Sequence, residues 1–196
     1  MDKNYKNKLY VSQLQKVYSQ MADATKAIMS EEQAENFYET TAGVPNSCSD
    51  ANNGVCEKGA GYFLNNYFKV IKSNCGNVNQ ANACIAPSYK NMAGANIGSI
   101  NREHCVQTTN GAAICMSLNP NNRITTFHVD VNGTSPPNTA GLDFFAIDMD
   151  PMGNLTDYWS GSCKPEKCNT DGKEAPASWA CGCLNSIIEA GWKITY

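Results

Sequence analysis

No stretch of this sequence is apolar enough to export the chain or to anchor it in a bilayer. The opening residues, MDKNYKNK, have no apolar core of the kind a secretory signal needs, and nothing downstream reaches the roughly 18 consecutive apolar residues of a membrane span. Charge is also scarce. Only 17% of residues are charged, the formal balance is -3, and neither lysine nor arginine forms a run, so nucleic acid and anionic membrane surfaces are poor partner choices. A P-loop, a dinucleotide glycine pattern, a nucleophile elbow and a His-rich metal motif are all missing. An enzyme is therefore the least supported class, and no cofactor is indicated.

Cysteine is what the chain has in excess. Ten are present: Cys48, Cys56, Cys75, Cys84, Cys105, Cys115, Cys163, Cys168, Cys181 and Cys183. An even count in a chain rich in Asn, Ser, Thr and Gly points to disulfides formed in an oxidising compartment. Oxidised cysteines without an export signal conflict. The conflict resolves if the chain is the soluble part of a longer protein whose N-terminal segment has been cut away, leaving Met1 as an artificial start. The 196 residues suit one domain with a core of its own.

The first region, 4–29, reads as a long amphipathic helix. Tyr10, Leu14, Val17, Met21, Ala24 and Ile28 recur at alternating steps of four and three, which places them on one side of a rod of roughly 39 Å. Region 30–103 reads as helices and loops. SEEQ, from Ser30 to Gln33, looks like a capping box that opens a second helix reaching to about Thr40. A third helix carries Phe63, Tyr67, Val70 and Ile71 on one side, and Ile85 to Glu103 is a loop with Tyr89 and Met92 as anchors. Cys48 with Cys56, and Cys75 with Cys84, bracket small polar loops suited to local disulfides.

Strands are expected from 104 to 159. The segment from His104 to Leu118 is two runs joined at Asn110-Gly111, the strongest short hairpin signal, and it sets Cys105 nearly opposite Cys115. Next, Thr125, Phe127, Val129 and Val131 alternate with Thr126, His128 and Asp130, as in a half-buried strand. After a rigid TSPPNTAG loop, Phe145, Ile147 and Met149 share a face, and GNLTDYW adds a further strand. Region 160–196 is closed by cysteines. Cys181 and Cys183 each reach back to Cys163 or Cys168 in one of two pairings, and Trp192, Ile194 and Tyr196 alternate as a closing strand. Helices first and strands second give an α+β domain, a long helix packed on an antiparallel sheet with disulfide-rich loops.

These residues resemble the type IV pilins and pilin-like pseudopilins of type II secretion. The resemblance rests on the long helix, NGAAICM, the run HVDVNGTSPPNTAGLDFFAIDMDPMGNL and the ending CGCLNSIIEAGWKITY. It implies a structural subunit, major or minor, of a filament serving adhesion, motility, DNA uptake or secretion. It also implies an absent apolar helix half, cleaved and methylated at its start in the precursor, that anchors the subunit in the inner membrane before assembly into an extracellular or periplasmic filament. Tyr10, Leu14, Val17, Met21 and Ile28 would then hold the sheet. Other subunits would be the partners, and the isolated chain would be a monomer. The rivals are a secreted disulfide-rich binding module that never polymerises and a small secreted hydrolase.

Candidate chemistry is sparse. His104 beside Cys105 suggests a nucleophile pair, but adjacent strand residues point to opposite faces. His128 sits on a polar strand face. Asp130, Asn132, Asp143, Asp148 and Asp150 are the candidates for calcium, although DMDPMGN has Met152 and Trp159 where a calcium loop needs ligands, and Asx turns explain the same residues. Cys163, Cys168, Cys181 and Cys183 are an alternative four-thiolate zinc set. The sequons at Asn132 and Asn154 are short enough to arise by chance.

Overall fold

A computed structural model describes residues 3–48, 56–100, 104–159, 168 and 180–196. Helix α1 spans Lys3–Glu31, so 29 residues at 1.5 Å rise make a rod of about 44 Å. Its buried stripe contains the expected Tyr10, Leu14, Val17, Met21, Ala24 and Ile28, widened by Val11 and Thr25. Leu14, Val17, Met21 and Ile28 are wholly buried, each contributing roughly 1.5–3 kcal/mol of apolar burial. This face needs the sheet beneath it.

The helix runs past Met29, and the expected second helix does not form. Ser30 lies inside α1, where it cannot act as a cap, and the chain turns at Gln33, whose φ of +53° is left-handed. Two short 3-10 turns follow, Phe37–Glu39 and Thr41–Gly43. Asn36 caps the first through Tyr38 N–H at 3.1 Å, and the Glu32 carboxylate accepts from Thr41 N–H at 2.6 Å. The acid assigned to a helix start thus closes a loop instead.

Strands β1 (Ser47–Cys48) and β2 (Cys56–Lys58) pair antiparallel and lead into α2, Gly59–Tyr67. The third helix is therefore shorter than the spacing of Phe63, Tyr67, Val70 and Ile71 suggests. Phe68 is extended, and Val70 and Ile71 belong to β3 (Val70–Lys72), which hydrogen-bonds to a neighbouring strand. Tertiary pairing overrides helical periodicity here, and Ile71 is left 59% exposed. The expected loop at 85–103 contains a small hairpin, β4 (Tyr89–Lys90) with β5 (Asn96–Gly98). Tyr89 is the buried anchor, while Met92 is half-buried.

The main sheet adds β6 (His104–Thr108), β7 (Ala113–Asn119), β8 (Ile124–Asp130), β9 (Phe144–Met149) and β10 (Leu155–Asp157). Its order is β10-β9-β8-β7-β6-β3, antiparallel throughout. The hairpin at Asn110-Gly111 forms as expected, with Gly111 at φ +91° and Cys105 opposite Cys115. Register aligns Val106, Ile114, Val129 and Phe145 on one face, together with Met116, Phe127 and Ile147. That face meets the helices: Thr25 of α1 donates to Met149 Sδ at 3.2 Å, and Phe63 of α2 lies 6.4 Å from Phe127.

The opposite face is not the solvated one that alternation suggests. His128 and Asp130 are both buried, His128 stacks on Phe144 at 5.8 Å, and Tyr89 covers Phe144 at 4.1 Å. The 85–100 region wraps over this side, so β9 is buried at all six positions.

The C-terminal region also departs from expectation. Cys183–Glu189 is a helix, α3, and no strand forms from Trp192 to Tyr196. Gly191 turns the chain at φ +67°, Trp192 packs edge-on against Tyr18 of α1 at 5.5 Å, and Tyr196 O–H donates to Gly141 O at 2.6 Å. Side-chain anchoring replaces a ladder. The loop from Ser160 to Ser178 lies outside the described residues, except for Cys168.

Candidate functional site

Five long-separated acidic or amide groups, proposed from sequence as a calcium set, are divided by the fold. Asp130, Asn132 and Asp143 share one turn, beside the cis Pro136–Pro137 peptide. Asp148 accepts from Thr126 Oγ1 at 2.7 Å, four residues along the ladder from Asp130. Asp150 closes its own Asx turn, accepting from Met152 N–H, Asn154 N–H and the Asn154 amide at 2.8 to 2.9 Å.

The shared turn is built on two buried carboxyls. Asp143 accepts from Asn138 N–H at 2.9 Å and Thr139 N–H at 2.6 Å, while Asp130 accepts from Tyr89 O–H at 2.9 Å and Asn132 N–H at 3.2 Å. Burial pushes the Asp130 carboxyl up to about 8, with the neighbouring Asp143 charge adding to the rise. Burial also raises Asp143. Two like charges in one dry turn cannot both ionise cheaply, so the pair retains a proton near neutral pH. The Asn132 amide donates to Ser135 O and Pro136 O, which fastens the proline loop to the same turn.

A third carboxyl does similar work near the C-terminus. Asp157 accepts from Tyr158 N–H, Gly182 N–H and Asn185 N–H, so it binds the start of α3 to β10. Burial pushes it up to about 6 despite these donors. Sequence reading missed this role, and a sequence separation of 25 between Asp157 and Gly182 leaves no local signal for it.

The cysteines pair as the short loops suggest: Cys48–Cys56, Cys75–Cys84 and Cys105–Cys115. Between the two open C-terminal pairings, the structure has Cys168–Cys183. Cys181 is also disulfide-bonded, and Cys163 lies outside the described residues. The Cys168–Cys183 bond consumes two of the four thiolates that the zinc alternative requires.

One cluster brings together groups that sequence placed far apart. His104 Nδ1 lies 3.7 Å from Cys48 Sγ and 3.9 Å from Cys56 Sγ, and the imidazole is 8% exposed. Among the described residues these three form the group of His, Cys and acidic side chains close enough to share a metal ion, yet the two sulfurs are bonded to each other and neither is a thiolate. Burial lowers the His104 pKa, which keeps the ring neutral. His104 also borders a cleft of about 310 Å³ lined by Gly43, Pro45, Ala60, Met116 and Leu118. Cys105, as strand alternation requires, is on the opposite face and bonded to Cys115, so the adjacent His104–Cys105 pair is no nucleophile–base couple.

Comparison of the chain with protein-family models, with curated proteins and with solved structures gives no match.

Proposed function

We propose that this chain is a structural subunit of a type IV pilus-like or type II secretion filament, its soluble part folded as a pilin-like domain. One observation supports this most: α1 is a single long helix whose later turns are held by the sheet, while none of residues 3–9 is buried. Tyr5 is 58% exposed and Leu9 44%, so the first turns of the rod, which also carry Lys3, Lys6 and Lys8, are left largely uncovered by the domain. A helix of this kind suits a subunit that is joined to something through its N-terminal end. No helix among the described residues is long and apolar enough to cross a membrane. The membrane anchor in this reading belongs to a preceding segment, and the domain sits outside the cytoplasm, where its disulfides are stable.

The test is the reading frame ahead of Lys3 in the gene. A filament subunit requires a basic leader, a small-residue cleavage site and about twenty apolar residues continuous with α1. An ordinary secretory signal at that place, fully removed before α1, would refute the filament reading and favour a secreted binding module. Sedimentation of the isolated chain is expected to show a monomer.

A further inference from the structure

The environment of the Cys48–Cys56 bond differs from that of every other described disulfide. Cys75, Cys84, Cys105, Cys115, Cys168 and Cys183 are all buried, whereas Cys48 is half-exposed and Cys56 lies beneath it. Of the two half-cystines, Cys48 is the more open to a nucleophile in solution.

The leaving side is also prepared. Cys56 lies three residues ahead of α2, a nine-residue helix, and the bond rests on the first turn of that helix: a Cβ built on Gly61 would come 2.1 Å from Cys56 Sγ and 2.8 Å from Cys48 Sγ. Lys58, the N-cap residue, supplies no side-chain hydrogen bond, and the neutral Asn46 side chain accepts from Gly61 N–H at 2.9 Å, so the first turn beside the sulfurs carries no anionic cap. On the other side stands His104. A disulfide sulfur has no proton to give, so the proton is assigned to Nδ1, which points at the sulfurs, while Nε2 is buried with no partner among the described residues. A helix N-terminus and an imidazole N–H each stabilise a thiolate, and exchange is faster when the departing thiol has the lower pKa.

We propose that Cys48–Cys56 is a thiol–disulfide exchange site, in which an incoming thiolate attacks Cys48 Sγ and Cys56 departs as a thiolate held by His104 and the start of α2. In the first step the new bond joins the incoming sulfur to Cys48, the Cys48–Cys56 bond breaks, and its electron pair remains on Cys56. No net oxidation occurs at that point. With a monothiol the product is a mixed disulfide at Cys48. With a dithiol, the second thiolate attacks the mixed disulfide, Cys48 leaves reduced, and the dithiol is oxidised to its cyclic disulfide. This inference is independent of the filament reading, because it depends only on the local geometry of β1, β2, α2 and β6.

The oxidised protein would be treated with glutathione or dithiothreitol, quenched with iodoacetamide at intervals and mapped by peptide mass. The Cys48–Cys56 pair should open about tenfold faster than Cys75–Cys84, Cys105–Cys115 or Cys168–Cys183, with glutathione on Cys48 and the alkyl group on Cys56. His104→Phe should slow this opening about tenfold, and His104→Asn, which restores a donor near Nδ1, should recover part of the loss. Equal rates in the wild-type and Phe proteins would overturn the role of His104. In the wild-type protein alone, glutathione found on Cys56, or another pair opening first, would overturn the proposal whether or not the variants fold.

Discussion

The buried Asp130–Asp143 pair should make the protein lose stability as pH rises from 5 to 7, the reverse of what ordinary surface carboxylates do. Asp130 is 1% exposed, and its carboxyl is pushed from an ordinary value of 3.8 up to about 8. Between those values the folded chain holds a proton that the unfolded chain has released. The unfolded state then binds fewer protons, so unfolding free energy falls with pH, by about 1.4 kcal/mol per unit for one proton. The stabilisation is fully present below the unfolded value and is lost as pH climbs through the folded one. From pH 5 to 7 the loss approaches about 2.7 kcal/mol, which for a domain of this size is a drop of roughly 5–11 °C in Tm. Asp130→Asn removes the titrating group while keeping an oxygen to accept from Asn132 N–H. Asp157, pushed up to about 6, adds a slope of the same sign to both proteins, and His104, whose pKa burial lowers, adds one of opposite sign; both cancel in the difference. Calorimetric melting of the two proteins at pH 5, 6 and 7 provides the comparison. The wild-type Tm should fall faster than that of the variant, and parallel curves would refute the argument that the pair retains a proton.

Two further substitutions probe the framework. Leu14→Ala empties a fully buried site between α1 and the sheet and should cost about 2–5 kcal/mol, measured by urea unfolding; a loss below about 1 kcal/mol would mean that the helix is not held by its stripe. Gly61→Ala places a methyl carbon 2.1 Å from Cys56 Sγ, so α2 or the disulfide must move, and non-reducing peptide maps should show less of the Cys48–Cys56 bond; an intact bond with unchanged melting would show that the contact is slack.

The α+β organisation was legible because its signals are local. The stripe from Tyr10 to Ile28, the turn at Asn110-Gly111 and the alternation through Phe127 and Val129 each specify an element without reference to the rest of the chain. Three short cysteine loops were legible for the same reason. What failed depends on distant partners. Val70 and Ile71 look helical until β6 offers them a ladder, and His128 looks solvated until Tyr89 and Phe144 close over it. At the C-terminus, the apparent alternation of Trp192, Ile194 and Tyr196 has no strand to join and is satisfied by side-chain contacts with Tyr18 and Gly141. The candidate site was the least legible part, since 56 residues separate Cys48 from His104 and no spacing rule connects them.

The six-stranded sheet ends on both sides in strands of three residues, β3 and β10. Lys72 stands in the first, and the second is tied through Asp157 to the start of α3. Among the described residues, neither border offers the long flat row of free peptide groups onto which another chain could add a strand. Copies of this domain gathered at high local concentration are thereby protected from zippering together through their backbones. Among the described residues, ordered association is left to side chains on helices and loops, where single substitutions can change which neighbour is accepted while the sheet is left intact.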